Sequence, residues 1–383
     1  MIYLDNAATS HPKPESVYAR MDRFAREVGA NPGRGGHRMA VEAEAEIDAV
    51  RRALAALFGA REPSRIVFTL NATDALNMAM KGLLRQGDHV VTSTLEHNSV
   101  SRPLAGLERD GVVRVTRVTP AIDGSIDPSD VMKALEDRTR LVVLGQASNV
   151  LGTAQPIREV GRLLRERGPL LLVDAAQGAG LLAIDVEADG IDMLVFTGHK
   201  SLLGPPGTGG LCVGARADLR CWREGGTGGD SAQPTQPSGY PHRMEAGTPN
   251  TVGIAGLGEA LRFLASRGTA ALAAHEVGLA LRLWEALEGD RRFMLYGQKP
   301  EANRPRTGVV CLNVAGMAAP EAGALLDSSF GIAVRAGLHC APGAHRLIGT
   351  FPDGTLRVSP GPFSTADDID ALTAALHEIA DAS

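Results

Sequence analysis

Residues 192–200 read Asp192-Met-Leu-Val-Phe-Thr-Gly-His-Lys200, and this stretch decides the fold. Met193 to Phe196 is a short apolar run of the kind that forms a strand buried on both faces, and Thr197, Gly198 and His199 break it. Such strands belong to parallel sheets covered by helices on each side. Lys200 then follows the strand's carboxyl end, where open α/β sheets place their ligands. A lysine costs free energy to bury unless it is paired or chemically used. Alone it reads as an ordinary surface residue after a strand, so other segments must decide its role.

Outward from this strand the pattern repeats. Ile66-Val67-Phe68, His89-Val90-Val91, Val112 to Val118, Leu141 to Leu144 and Leu170 to Val173 are further apolar runs that alternate with helical patterns. That alternation describes an α/β fold with βα units around a mostly parallel central sheet. Val41, Ala45, Ile47, Val50, Leu54 and Leu57 fall at helical spacing and Gly59 follows as a stop, which predicts an amphipathic helix over 41–57. Between Gly225 and Pro249 the chain is rich in Gly, Pro, Ser and Thr, the composition of a loop or crossover. Helical patterns at 252–265, 270–288 and 365–380, with strand-like Val309 to Val314 and Ile332 to Arg335, suit a smaller α+β C-terminal domain.

At 383 residues the chain has ample material for one large and one smaller domain. Its 44% hydrophobic and 22% charged residues are those of an ordinary globular protein, and a net charge of -5 argues against nucleic acid as a partner. The amino-terminal sequence does not read as a secretory signal, and no uncharged run approaches membrane-spanning length. Cys212, Cys221, Cys311 and Cys340 are scattered without metal-type spacing, so reduced thiols in the cytoplasm are expected, with no disulfide framework. His339, Cys340 and His345 offer too few ligands for a closed zinc shell, and no metal is expected.

Two segments change the reading of Lys200. Leu170-Leu-Leu-Val-Asp174-Ala-Ala-Gln177 puts a carboxylate where an apolar strand ends. Asp174 there faces the site more readily than it caps the next helix, and combined with Lys200 it matches the lysine and acidic pyridinium partner that pyridoxal phosphate needs. Ile66-Val-Phe-Thr-Leu-Asn-Ala72-Thr73-Asp74 is a strand, a polar turn and a helix start that can bind phosphate, although Thr73 and Asp74 also read as plain capping residues.

Leu4-Asp-Asn-Ala-Ala-Thr9, Thr69 to Asp74, Glu96-His97, Ser148-Asn149, Asp174 with Gln177, Thr197-Gly-His-Lys200, Ala246-Gly-Thr-Pro-Asn250 and Arg335-Ala-Gly-Leu-His-Cys340-Ala together resemble the cysteine desulfurase and selenocysteine lyase family. These are fold-type I, class V aminotransferase-like enzymes that use pyridoxal phosphate, and the matches run in order from residue 3 to about 363. The resemblance implies that Lys200 forms the Schiff base and Asp174 pairs with the pyridine nitrogen. It gives Gln177 to the phenolic oxygen and His97 to stacking on the ring and moving protons. Ala72, Thr73, Thr197 and His199 would hold the phosphate, with Thr248 contributed by the second subunit of a homodimer. Asn149 and Arg357 would position the substrate, and Ala7 and Ala8 would line its pocket. The corresponding division is an N-terminal segment 1–14 near the active site, a large cofactor domain 15–250 and a small domain 251–383 carrying the catalytic cysteine.

Cys340 decides the reaction class. In the family this cysteine, as thiolate, takes sulfur from L-cysteine, or selenium comes from L-selenocysteine, and alanine leaves; cleavage of selenocysteine need not use it. A thiolate nucleophile calls for access and nearby positive charge, for which Arg335, His339 and His345 are close in sequence. Cys212, inside Gly210-Leu-Cys-Val-Gly214, reads instead as a small buried hydrophobe. Other reactions of the same cofactor, β-elimination from cysteine or cystine and transamination, stay open, as does a scaffold that has lost catalysis. Thr197 stands where serine is frequent, and Leu338 where many members carry a second histidine. The short stretch from Arg335 to Arg357 resembles the group whose members often rely on a sulfur-acceptor protein, feeding iron–sulfur cluster assembly or other thiolation pathways. Asn31-Pro-Gly-Arg34-Gly-Gly-His37 reads either as a reach toward the partner's site or as a surface loop.

Overall fold

The structure is a computed structural model and describes every residue except 34, 229–231, 302–303 and 383. Its centre is a seven-stranded sheet in the order Ile66–Thr69, Gly209–Val213, Met193–Thr197, Leu170–Asp174, Thr139–Gly145, Asp88–Ser93, Val113–Val118. Gly209–Val213 runs antiparallel to both neighbours and all other pairs are parallel. The sequence runs at 66, 89, 112, 141, 170 and 193 therefore fall in the sheet within a residue or two of their observed ends.

Alternation of side chains along each strand explains why both faces had to be apolar. Leu171, Val173, Leu194 and Phe196 enter one core with Ile47, Val50 and Leu54 of the helix Arg38–Phe58 and Leu257 of the helix Thr251–Arg267. Leu170, Leu172, Met193 and Val195 enter the opposite core with Leu76 and Met80 of the helix Ala72–Leu83 and Leu104 of the helix Asn98–Arg109. Gly59 ends the first of these helices in the left-handed conformation, φ 65°, as a stop residue should.

A second, antiparallel sheet of Arg335–Gly337, Thr355–Val358, Val310–Val314 and Phe293–Tyr296 forms around a third core. The helices Thr269–Leu287, Ala319–Phe330 and Ala366–Asp381 cover it. The chain's start joins this part: Ile2–Tyr3 pairs in parallel with Ile332–Ala333, and Leu4 is fully buried in the third core. Between Val213 and Thr251 no described residue is helical or extended in a sheet, in keeping with the expected crossover. No helix among the described residues is long and apolar enough to cross a membrane.

Candidate active site

Four neighbouring parallel strands end at one cleft. Ser93, Gly145, Asp174 and Thr197, their last residues, all line a cavity of about 340 Å³, a size typical of small-molecule sites. Lys200 stands in it three residues beyond Thr197. Burial lowers its ammonium to a pKa of about 8, against an opposing pull from Asp174. Burial raises the Asp174 carboxyl, whose Oδ1 accepts from Ala176 N at 3.0 Å. That single turn contact leaves its other oxygen for a partner in the cleft.

The start of the helix Ala72–Leu83 closes one side. Asn71 caps it by accepting from Asp74 N at 2.9 Å, which leaves the Ala72 and Thr73 N–H groups at the cleft wall without a helical acceptor. Thr73 Oγ1 meets Ser99 Oγ at 2.7 Å, and Ser99 Oγ meets His97 Nδ1 at 2.9 Å. Ser99 N also donates to that Nδ1, so the nitrogen carries no proton. Burial, then the charge of Lys200, hold the imidazole neutral with a pKa of about 4, which places its one proton on Nε2. Gln177 Nε2 donates to Ala7 O at 3.0 Å, fastening the N-terminal segment to the cleft.

Arg357 lies at the far wall, 2% exposed. Its Nη2 donates to Asp5 Oδ1 at 2.7 Å and its Nη1 to the Asn149 carbonyl at 3.1 Å, while Nε has no partner among the described residues. Arg335 and His339 line the same wall. Cys340 follows, exposed, with φ 58°, and His339 has φ 49°. Two successive non-glycine residues in the left-handed region are costly. Backbone contacts hold them there: Asn149 Nδ2 donates to His339 O at 2.6 Å and Asn98 N to Cys340 O at 2.7 Å. Lys200 feels the charges of Arg357, Arg335 and Cys340.

Over residues 2–372 the chain matches the aminotransferase class-V family. The chain belongs to that family. It is 34% identical to a probable cysteine desulfurase of Methanothermobacter thermautotrophicus, across 99% of this chain and 94% of the relative. A cysteine desulfurase of Serratia proteamaculans is 33% identical, across 99% and 93%. Among solved structures, the apo cysteine desulfurase of Thermococcus onnurineus NA1 superposes with a TM-score of 0.93 at 30% identity, covering 100% of this chain and 95% of that one. The S-sulfonic acid form of the cysteine desulfurase CsdA from Escherichia coli gives 0.89 at 29% identity, covering 99% and 94%.

Class V enzymes in general depend on pyridoxal phosphate. The cleft fits that group on its own chemistry: a lysine amine in the same cavity as a buried carboxyl, a helix N-terminus with free N–H groups, and a buried Thr197 Oγ1 that has no hydrogen-bond partner among the described residues. Thr197 is followed by Gly198, where a Cβ would stand 2.0 Å from Thr208 Oγ1, so the turn that carries Lys200 into the cleft requires glycine.

Ala7, Ala8, Ala72, Thr73, His97, Asn149, Asp174, Gln177, Thr197, His199, Lys200 and Arg357 all line the cleft. Thr248 does not; it is exposed on this chain's surface. Cys340 is likewise not part of the cleft wall, although His339 beside it is. One expectation is corrected. His339 and His345 do not supply positive charge to the thiol, because burial depresses them to pKa values of about 2 and about 4. Arg34 lies outside the described residues, and His37 caps the helix Arg38–Phe58.

Sequence reasoning missed Ser99, which joins His97 to Thr73; its place two residues after His97, at a helix start, was the available signal. It also left Glu96 without a role. Glu96 is buried at the cleft wall, raised by burial to about 8, and its carboxyl is held by Ser93 Oγ at 2.6 Å and Gly145 N at 3.0 Å.

Proposed function

We propose that this chain is a pyridoxal phosphate-dependent cysteine desulfurase, taking sulfur from L-cysteine, or selenium from L-selenocysteine, and releasing L-alanine. The observation that carries the reading is the exposed Cys340, held on a strained turn beside the cleft within electrostatic reach of Lys200. Cys212 and Cys311 are buried and pushed up to about 12 and about 11, which leaves them inert.

Lys200 and Asp174 would hold the cofactor's ring from two sides, with Gln177 at its phenolic oxygen and His97 stacked on it. Ala72, Thr73, Thr197 and His199 would take its phosphate, with the partner subunit's Thr248 completing that cradle in a homodimer. Bound there, the cofactor supplies an electron sink that loosens bonds at the substrate's α and β carbons. Arg357, steadied by Asp5, offers its guanidinium to the substrate carboxylate, and Asn149 orients both Arg357 and the Cys340 turn. Ala7 and Ala8 bound the pocket. His97, neutral with its proton on Nε2, would move that proton during the reaction.

Cys340 thiolate then attacks the substrate sulfur. A sulfur–sulfur bond forms, the bond from that sulfur to the β carbon breaks, and the β carbon keeps the electron pair and takes a proton. The products are alanine and a persulfide on Cys340, whose outer sulfur passes to an acceptor protein. The reading places the protein in the cytoplasm and divides the chain into a segment 1–14, a cofactor domain 15–250 and a small domain 251–383.

An anaerobic assay of wild type and Cys340→Ser with both amino acids tests it. Alanine with a thiol-reactive persulfide supports desulfuration. Pyruvate with ammonia, or conversion to pyridoxamine phosphate, sinks it in favour of elimination or transamination.

A further inference from the structure

Ala7 and Gln177 line the active-site cleft and also a second, much smaller cavity. Its volume is about 20 Å³, the room of one water molecule or one desolvated ion. Glu276, on the helix Thr269–Leu287, lines it and is only 7% exposed. No described residue donates a hydrogen bond to its carboxyl or pairs with it, and burial alone drives its pKa up to about 8. Thr307 lines the same space at 3% exposure, and its buried Oγ1 also has no hydrogen-bond partner among the described residues.

The rest of the wall adds oxygen and no compensating charge. Asn6, Ser10, Ser201 and Ser359 face it beside the apolar Leu181, Leu203, Val309, Pro360 and Pro362, and among the described residues no lysine or arginine does. Lys13 reaches Ser10 Oγ at 2.6 Å but is not part of the lining. An unpartnered buried hydroxyl beside a nearly buried carboxyl that no described residue pairs with is unusual around one small space, and each is costly unless something else satisfies it. The donors are all hard oxygens, which select hard cations, and one carboxylate balances a single positive charge.

We propose that this cavity binds one dehydrated monovalent cation of the potassium, sodium or ammonium class, with Glu276 and Thr307 as ligands. The ion braces the wall formed by Ala7 and Gln177, which are joined at 3.0 Å and face the cofactor cleft on their other side. The inference does not depend on which reaction the cleft performs.

The purified protein would be dialysed into tetramethylammonium chloride, a cation too large for the cavity, and compared with potassium, sodium and ammonium chloride at equal ionic strength. At least one of the three should raise Tm saturably, by about a few degrees, and Glu276→Gln should abolish the rise. Equal Tm in all four salts, or an equal rise in Glu276→Gln, overturns the proposal. Should that variant not fold, crystals of the unaltered protein soaked in thallium(I) decide: an anomalous peak between Glu276 and Thr307 is the expected result, and its absence rejects the site.

Discussion

Arg357 Nη2 stands 2.7 Å from Asp5 Oδ1, a pair drawn from opposite ends of the chain and 352 positions apart. The guanidinium is thereby fixed on one edge by Asp5 and on another by the Asn149 carbonyl. Arg357→Lys keeps a charge but loses the planar fork, so KM for L-cysteine should rise and kcat/KM fall by about 10- to 100-fold. Asp5→Ala leaves a buried charge less compensated and should cost about 2–3 kcal/mol of stability in urea unfolding. A KM unchanged in Arg357→Lys would remove this residue from substrate binding.

Cys340→Ser should reduce alanine formation from cysteine to background while leaving the cleft and its cofactor absorbance intact. Unchanged alanine production from L-cysteine would refute the persulfide route.

Gly343 offers a subtler test of the same turn, because a Cβ there would meet the Thr94 carbonyl at 1.8 Å. Gly343→Ala must shift the segment that follows Cys340. Desulfuration should fall by about tenfold or more, with cofactor content at the wild-type level; equal activity would mean that the thiol tolerates displacement.

Lys200 titrates near 8, depressed mainly by burial. Below that pH the amine is protonated and cannot attack an aldehyde. The rate at which the apo-protein covalently captures pyridoxal phosphate should climb about tenfold per pH unit up to pH 8 and then level. Stopped-flow absorbance reads this directly, and a flat profile from pH 6 to 9 would contradict it.

Five histidines, the buried His89, His339 and His345 and the partly buried His97 and His199, have depressed pKa values. The unfolded chain binds more protons at these sites, so the stability they contribute is present above about pH 6.5 and lost as pH falls toward 4. Glu96 and Glu276 are raised to about 8 and act oppositely, contributing stability that is lost as pH rises from about 4.5 toward 8, and the raised Asp174 acts in the same direction. In tetramethylammonium buffer the thermal midpoint of the apo-protein should peak near pH 6.5. A midpoint still rising at pH 8 would show that another set of groups dominates.

The central sheet was legible because each strand buries both faces and so shows as an uninterrupted apolar run, Met193 to Phe196 being the clearest. Lys200 and Asp174 were legible through their positions at the ends of such runs. Thr355–Val358 was harder to recognise, because a strand of four residues with Arg357 inside it looks polar until its partners are known. Phe293–Tyr296 is equally short and half-exposed, too brief to show alternation. The neutrality of His339 and His345 is a burial effect, and burial depends on the packing of Thr350 and Thr355 around them. Glu276 was invisible for the same reason, since an isolated glutamate on a helix normally faces water.

The left-handed turn at His339 and Cys340 bears on attempts to engineer this protein. Each of its two residues sacrifices about 1–2 kcal/mol of folding free energy to its backbone conformation, so His339→Gly is an obvious candidate for a thermostabilised version. That substitution would also free the turn to wander and carry the sulfur atom out of register with the cleft. Screens that select this enzyme for heat resistance alone should therefore accumulate variants that are hardier and slower, with changes gathered on a turn that sequence-based stability design would mark for repair.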